Sequence, residues 1–267
     1  MKIAGIDTTD WGLVPLSVQG AYNMPNRLPP YEYDWGDEIA PILQTELMSW
    51  EARNITVNFF YDPERQDPVY STNYFDNSMQ GFYNLDTTLE LTEAVGSLGV
   101  HDITVLNIGP ETRHRHPINT RRYHKVSINF HERVPAFNGV LPSLPGSLGN
   151  QALGGYNLSQ FGIVVSSAND MSGIGISKEL PLTVYLQEKR RAFYRENHLF
   201  RLNCYCIGIS PSDLLQKISA FHKLLTSNSL LNLKYNELQF DTFAPFGFNA
   251  EKVSRKVLRF DLTLIRV

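Results

Sequence analysis

Apolar and polar residues alternate with a period of two along several stretches of this chain. In Arg53-Asn54-Ile55-Thr56-Val57-Asn58-Phe59-Phe60-Tyr61 the apolar residues Ile55, Val57 and Phe59 fall at every second position, as in a strand with one buried face. Similar strand patterns run through 102–108, 125–131, 200–207 and 258–265. Two stretches change to a helical period. Thr87-Thr88-Leu89-Glu90 reads as a capping box with Thr87 as N-cap. Leu91, Ala94, Val95 and Leu98 continue as a stripe that Gly99 ends, so a helix is predicted around 89–98. Ser210-Pro211-Ser212-Asp213 is a second helix start, with Ser as N-cap and Pro at the first helical position. Leu214, Leu215, Ile218, Phe221, Leu224 and Leu225 then give one apolar face.

These elements come twice in the same order. Trp11-Gly12-Leu13-Val14 returns as Phe161-Gly162-Ile163-Val164. Each opening is followed by a β-rich run, 53–61 or 200–207. A predicted helix comes next, then a closing strand, 125–131 or 258–265. The residues differ, so what repeats is order and pattern. Between the two sets, 135–157 carries Pro135, Gly139, Pro142, Pro145, Gly146, Gly149, Gly154 and Gly155. Pro and Gly oppose both helix and ladder, which makes this stretch a linker. Its remaining Leu, Ala and Ser predict that it lies along a surface. The partition is therefore a domain at 1–134 and a domain at 158–267, each able to bury a modest core. Tandem copies of one small domain are a usual way to build rings and arrays.

Aromatic residues make up 12% of the 267 residues, with 13 Tyr and 15 Phe. They suit a pleated, half-buried surface. The predicted fold class is mainly β with minor α: two tandem β-sandwich or barrel domains, each flanked by one helix. A formal net charge of −3 argues against a general nucleic-acid surface and leaves room for a local basic patch. No apolar run approaches the length of a bilayer span. Met1-Lys2-Ile3-Ala4-Gly5-Ile6-Asp7 has no signal-peptide core. The expectation is folding in a cytoplasm with no membrane partner. Cys204 and Cys206 sit two apart in a strand pattern and share a face. That is poor disulfide geometry, so both are read as reduced thiols used as small apolar groups.

Candidate chemistry is sparse. The stretch 22–41 is rich in Pro, Tyr, Asp and Gly, and its prolines exclude a helix. Long aromatic loops in compact domains are usually functional, which makes Tyr31, Tyr33 and Trp35 candidate interface residues; an ordinary packed surface loop is the alternative. Asp34, Asp37 and Glu38 flank Trp35-Gly36 with no nucleophile beside them and read as turn or capping carboxylates. The densest feature is 113–124, with four Arg and three His among twelve residues. It is open to three readings: a solvated hairpin tip, a His-x-His metal site that its arginines would disfavour, or a contact with an acidic surface or phosphate. Arg113, Arg115, Arg121 and Arg122 are its interface candidates. Gly173-Ile174-Gly175-Ile176-Ser177 lacks the ending of a phosphate loop. No catalytic residue, cofactor or metal site is assigned, and the chain is not expected to be an enzyme.

One resemblance covers most of the chain. Trp50-Glu51-Ala52-Arg53-Asn54-Ile55-Thr56-Val57-Asn58-Phe59, following Asp34-Trp35-Gly36-Asp37, resembles the strand-and-turn pattern of distal tail and tail-tube-like proteins of long-tailed bacteriophages. The second half is similar more loosely, through Phe161-Gly162-Ile163-Val164, the strand 200–207, the helix from Ser210 and the last strand. The resemblance implies a virion structural protein assembled in a host cytoplasm. It implies a tail ring (distal tail, baseplate hub or tube) around a lumen that DNA crosses without sequence-specific contact, docked to other tail proteins. Two copies per chain imply three chains in a pseudo-sixfold ring, with a hexamer as the alternative. A carbohydrate-binding sandwich, with the loop aromatics as stacking platforms, is the rival from another class; a β-rich hydrolase with a scattered site is a further one.

Overall fold

The computed structural model describes residues 1–28, 32–33, 42–43, 49–61, 86–93, 96–108, 112–115, 122–170, 178–179, 193–194, 198–226 and 230–266. The first half builds β1 (Lys2–Ile3), β2 (Ile6–Asp7), β3 (Leu13–Gln19), a small pair β4 (Glu32–Tyr33) and β5 (Ile42–Leu43), then β6 (Arg53–Tyr61), β7 (Asp86–Glu93), β8 (Gly96–Ile108), β9 (Thr112–Arg115) and β10 (Arg122–Glu132). Eight of these form one antiparallel sheet in the order β2-β1-β7-β8-β10-β6-β3, with β9 added against β10. The period-two pattern sets its faces. Ile55, Val57 and Phe59 of β6 are fully buried, as are Ile128 and Phe130 of β10.

The second half builds β11 (Gln151–Leu153), β12 (Tyr156–Asn157), β13 (Ile163–Asp170), the pair β14 (Lys178–Glu179) and β15 (Phe193–Tyr194), β16 (His198–Ile207), helix α1 (Pro211–Leu225), β17 (Leu231–Tyr235), β18 (Leu238–Phe243), β19 (Glu251–Ser254) and β20 (Val257–Arg266). Its sheet runs β12-β11-β17-β18-β20-β16-β13, with β19 added against β20. Strand for strand, this is the order of the first sheet. The protein is mainly β with minor α, in two β-sandwich-like domains.

The repetition reaches individual dihedrals. Ala4 and Gly5 turn with φ of 53° and 78°; Gly154 and Gly155, 150 positions later, turn with 59° and 85°. A four-residue 3-10 helix follows in each case, Thr8–Trp11 and Leu158–Phe161, and each ends on a left-handed glycine, Gly12 at φ 72° and Gly162 at φ 65°. A side chain at Gly162 would meet the Ile207 carbonyl oxygen at 2.3 Å, so both backbone and space require glycine there. Each outer strand then carries a bulge at the matching place, Pro15–Ser17 against β6 and Val165–Ser167 against β16. Across each bulge an asparagine amide donates to a serine hydroxyl. Asn58 Nδ2 lies 2.9 Å from Ser17 Oγ, and Asn203 Nδ2 bonds Ser167 Oγ in the same way.

Helix α1 begins as its sequence dictates. Ser210 Oγ accepts from the Asp213 amide at 3.1 Å, and the Ser210 carbonyl accepts from the Leu214 amide. Its apolar stripe, Leu214, Ile218, Phe221, Leu224 and Leu225, is buried. Phe221 lies 5.6 Å from Phe161 and 6.0 Å from Phe260, centroid to centroid, and Phe248 stacks on Phe260 at 4.3 Å. Each buried Phe contributes about 1.5–3 kcal/mol. Cys204 and Cys206 are free and buried in β16, as small apolar groups. Burial, with Asp261 and Cys206 nearby, pushes the Cys204 thiol up to about 12.

The helix expected around 89–98 is instead strand over 89–93 and 96–98. Thr87 pairs with Ile103 and Glu90 with Val100 across the β7–β8 ladder. Leu89 and Leu91, both fully buried, bury a strand face, and the β-branched Thr87 and Thr88 suit it. The place in the first repeat that matches α1, between β6 and β7, falls at 62–85 and lies outside the described residues.

The chain forms two compact units. One comprises Met1–Asn23, Glu51–Ala136 and Ser210–Leu215; the other comprises Met24–Trp50, Phe137–Ile209 and Gln216–Val267. The second unit thus takes in Met24–Trp50, which the sequence reading placed in 1–134, and the end of the expected linker is itself strand, β11 and β12. Residues 137–150 lie along this unit's surface. Gly139 passes so close to α1 that a Cβ would sit 2.0 Å from the Ser219 carbonyl oxygen. Gln160 Nε2 donates to the Ser143 carbonyl at 2.9 Å, and the Gly149 amide donates to Asn157 Oδ1 at 2.6 Å.

Candidate interaction surface

The described residues between β3 and β6 pair antiparallel, as two sides of an arm. Its base is a bridge between Arg27 and Trp50, with the Leu28 amide donating to the Ser49 carbonyl at 2.9 Å. Further out, Glu32 pairs with Leu43 and Tyr33 with Ile42. Tyr33 is therefore on this arm, while Tyr31 and Trp35 lie outside the described residues, as do Asp34, Asp37 and Glu38. The second repeat inserts its own pair at the same point of its fold, with Lys178 opposite Tyr194 and Glu179 opposite Phe193.

The base of the first arm is anchored by a buried cation. Arg27, 2% exposed, donates through Nε to the Ala244 carbonyl at 3.0 Å and through Nη2 to the Leu225 carbonyl at 2.8 Å. Leu225 is the last residue of α1, whose final carbonyls lack helical partners, so the guanidinium caps the helix. The faces of Trp50 and Phe243 lie 4.6 and 4.8 Å from the guanidinium carbon. Burial lowers the Arg27 pKa to about 10, which leaves it charged at neutral pH. The backbones of Met24 and Phe248 exchange two hydrogen bonds of 2.9 and 2.8 Å. No local pattern announces Arg27 or Trp50 as an anchor; the only signal is a cation and an indole bracketing a proline-rich stretch.

A second buried charge cluster lies in the first sheet. Arg53 Nε donates to Glu132 Oε2 at 2.7 Å, and Arg53 Nη1 donates to the carbonyls of Ala21 and Asn23, each at 3.2 Å. His101 Nδ1 lies 2.9 Å from Glu132 Oε1. Burial alone would raise the Glu132 carboxyl, but the His101 hydrogen bond and the Arg53 charge outweigh it and hold the group below the usual carboxylate value. The cluster is enclosed, and its chemistry is ion pairing inside a sheet. At the matching ladder position of the second repeat, Arg266 replaces Glu132 and lies 4.6 Å over the Phe240 ring. Among the described residues no group of three or more His, Cys, Asp or Glu is placed to hold a metal ion.

The basic run lies on β9 and β10. Arg113 is set opposite His124 and Arg115 opposite Arg122; Arg121 lies outside the described residues. The arrangement is a hairpin, and like charges stand directly across its ladder at Arg115 and Arg122. Exposed apolar residues add a further surface along the inter-repeat segment, with Val134 81%, Val140 86% and Leu144 70% exposed. No protein-family profile matches the chain, and no curated protein sequence matches it.

Proposed function

We propose that this chain is a structural protein of a bacteriophage tail that assembles into a ring, docking other tail proteins and enclosing a passage for DNA. The observation that supports this reading is the repetition of a whole eight-stranded sheet, with the same strand order, turn dihedrals and bulge. A duplicated domain offers two near-equivalent copies of every surface. Three chains then supply six near-equivalent positions around a closed ring, and six chains are the alternative. The outer strands β3 and β13 are interrupted by their bulges, and β3 also by Pro15, a usual defence against unbroken edge pairing. Neighbours would therefore meet through inserted arms and side chains, with Tyr33 of the arm, its sequence neighbours Tyr31 and Trp35, and the apolar residues of 134–148 as contacts.

Negative-stain electron microscopy and native mass measurement of the purified full chain test the proposal. Rings of three or six chains are expected. A monomer that persists at high concentration would refute it.

A further inference from the structure

The basic run of the first repeat has a counterpart that its own sequence pattern did not draw attention to. β19 and β20 form the same added hairpin on the second sheet as β9 and β10 on the first. Lys125, opposite Phe60 in β6, and Arg259, opposite Tyr205 in β16, hold matching ladder positions. Counting back three residues from each gives Arg122 and Lys256. Both repeats therefore enter their closing strand with basic-x-x-basic, Arg122-Tyr123-His124-Lys125 and Lys256-Val257-Leu258-Arg259. Most of the neighbouring residues have diverged, but the charges have not.

The second hairpin is built to present them. Its turn is tight, with Ser254 opposite Val257 and only Arg255 and Lys256 between. Ser254 Oγ accepts from the Lys256 amide at 3.2 Å, and the Lys256 carbonyl accepts from the Gly208 amide at 2.9 Å. Lys252, Arg255, Lys256 and Arg259 are all exposed. Arg259 lies 4.0 Å from Glu251, and Arg255 and Lys256 form the turn itself.

We infer that these two hairpins are a duplicated docking element for an acidic protein surface, and that the surface is carried by a second copy of this chain. Arg113, Arg115, Arg122 and Lys125 with Lys252, Arg255, Lys256 and Arg259 are eight of the 24 Lys and Arg. With those set aside, 16 basic residues are left against 27 acidic ones. A long polyanion such as duplex DNA would be repelled by that remainder. A partner with acidic surface of its own fits, and this chain is one. Basic hairpin on acidic surface is a contact between unlike patches, which runs head to tail and closes into rings or continues into stacks. The inference rests on the self-assembly reading above and names the contact that would carry it.

Sedimentation velocity of the full chain at about 0.05 and 0.5 M NaCl tests it, since the screening length shortens from about 14 Å to about 4 Å over this range. Association is expected at low salt and to weaken at least tenfold at high salt. Arg113→Ser, Arg115→Ser and Arg122→Ser together, or Lys252→Ser, Arg255→Ser and Lys256→Ser together, should each weaken low-salt association by tenfold or more. The first triple made with Lys should retain it. Variants that associate within twofold of the parent, or loss in the Lys version equal to loss in the Ser version, overturn the inference. Tighter binding of the parent to a 30-base-pair duplex than to itself also overturns it. Micrographs of the same samples separate the two readings. Salt-resistant rings in parent and variants sink the hairpin contact alone, and salt-sensitive association without closed rings sinks the ring alone. A parent that stays monomeric at both salts sinks both.

Discussion

Replacing Glu132 by Gln removes the charge that holds Arg53 and His101 together inside the first sheet. Its side chain is 1% exposed and that of Arg53 is 5%, so water cannot stand in for the lost partner. Breaking one side of a buried ion pair typically costs about 3–5 kcal/mol. Arg53 keeps its bonds to the Ala21 and Asn23 carbonyls, which places the expected loss at the lower end, about 3 kcal/mol. For a chain of this size that is roughly a 6–12 °C fall in Tm. Urea unfolding followed by near-ultraviolet circular dichroism gives the free energy. The double variant Arg53→Met with Glu132→Leu should recover much of the loss, since well-packed apolar groups replace buried pairs with little penalty. The pH dependence has a definite sign. The folded state holds the Glu132 carboxyl below its ordinary value, so its contribution is complete above the ordinary carboxylate range and is lost as pH falls through the lowered value. Parent and Glu132→Gln should therefore converge in stability on acidification. A variant within 0.5 kcal/mol of the parent at neutral pH (about the scatter of a neutral surface change), or a gap that widens in acid, refutes the argument.

Arg27→Lys keeps the charge but loses the fork that reaches two carbonyls and the flat face between Trp50 and Phe243; urea unfolding should show a loss of about 2–4 kcal/mol, and no change would discount the anchor. Gly139→Ala has no room beside the Ser219 carbonyl and should lower stability by about 1–3 kcal/mol, with proteolysis of 137–150 accelerating in step; unchanged cleavage would count against the close packing. Cys204, buried and with its thiol pushed up to about 12, should resist a thiol reagent at pH 8 until denaturant is added, and rapid labelling of the native protein would contradict this. Tyr31→Ser, Tyr33→Ser and Trp35→Ser together should impair ring assembly while leaving the melting temperature nearly unchanged, and normal rings would remove these residues from the interface.

Strands were legible wherever burial is one-sided, because Ile55-x-Val57-x-Phe59 can satisfy only a period of two. Helix α1 was legible because Ser210 and Pro211 act locally. The misread element, 87–98, has a local pattern that satisfies a capping box as well as it satisfies a strand. Pairing with β8 decided between them, and that pairing is not a local property. The anchors were out of reach for the same reason. Arg27 finds Ala244 across 217 positions, and Arg53 finds Glu132 across 79. Neither partner is implied until the register is known. The basic run at 113–124 stood out by density alone, whereas its counterpart at 252–259 is too dilute to notice without the ladder that aligns Lys125 with Arg259.

The placement of Met24–Trp50 in the compact unit that otherwise begins at Phe137 bears on how such a gene can change. A duplication normally yields two modules that can later be trimmed, swapped or lost one at a time. Here a segment encoded inside the first copy supplies the cap of α1 and the cation that lies over Phe243, so a downstream half expressed alone would lack both. Recombination that replaced only the second copy would have to bring in a helix end and an aromatic face that still accept the resident Arg27 and Trp50. The two repeats are thus tied into one heritable block, free to diverge in sequence but not to part.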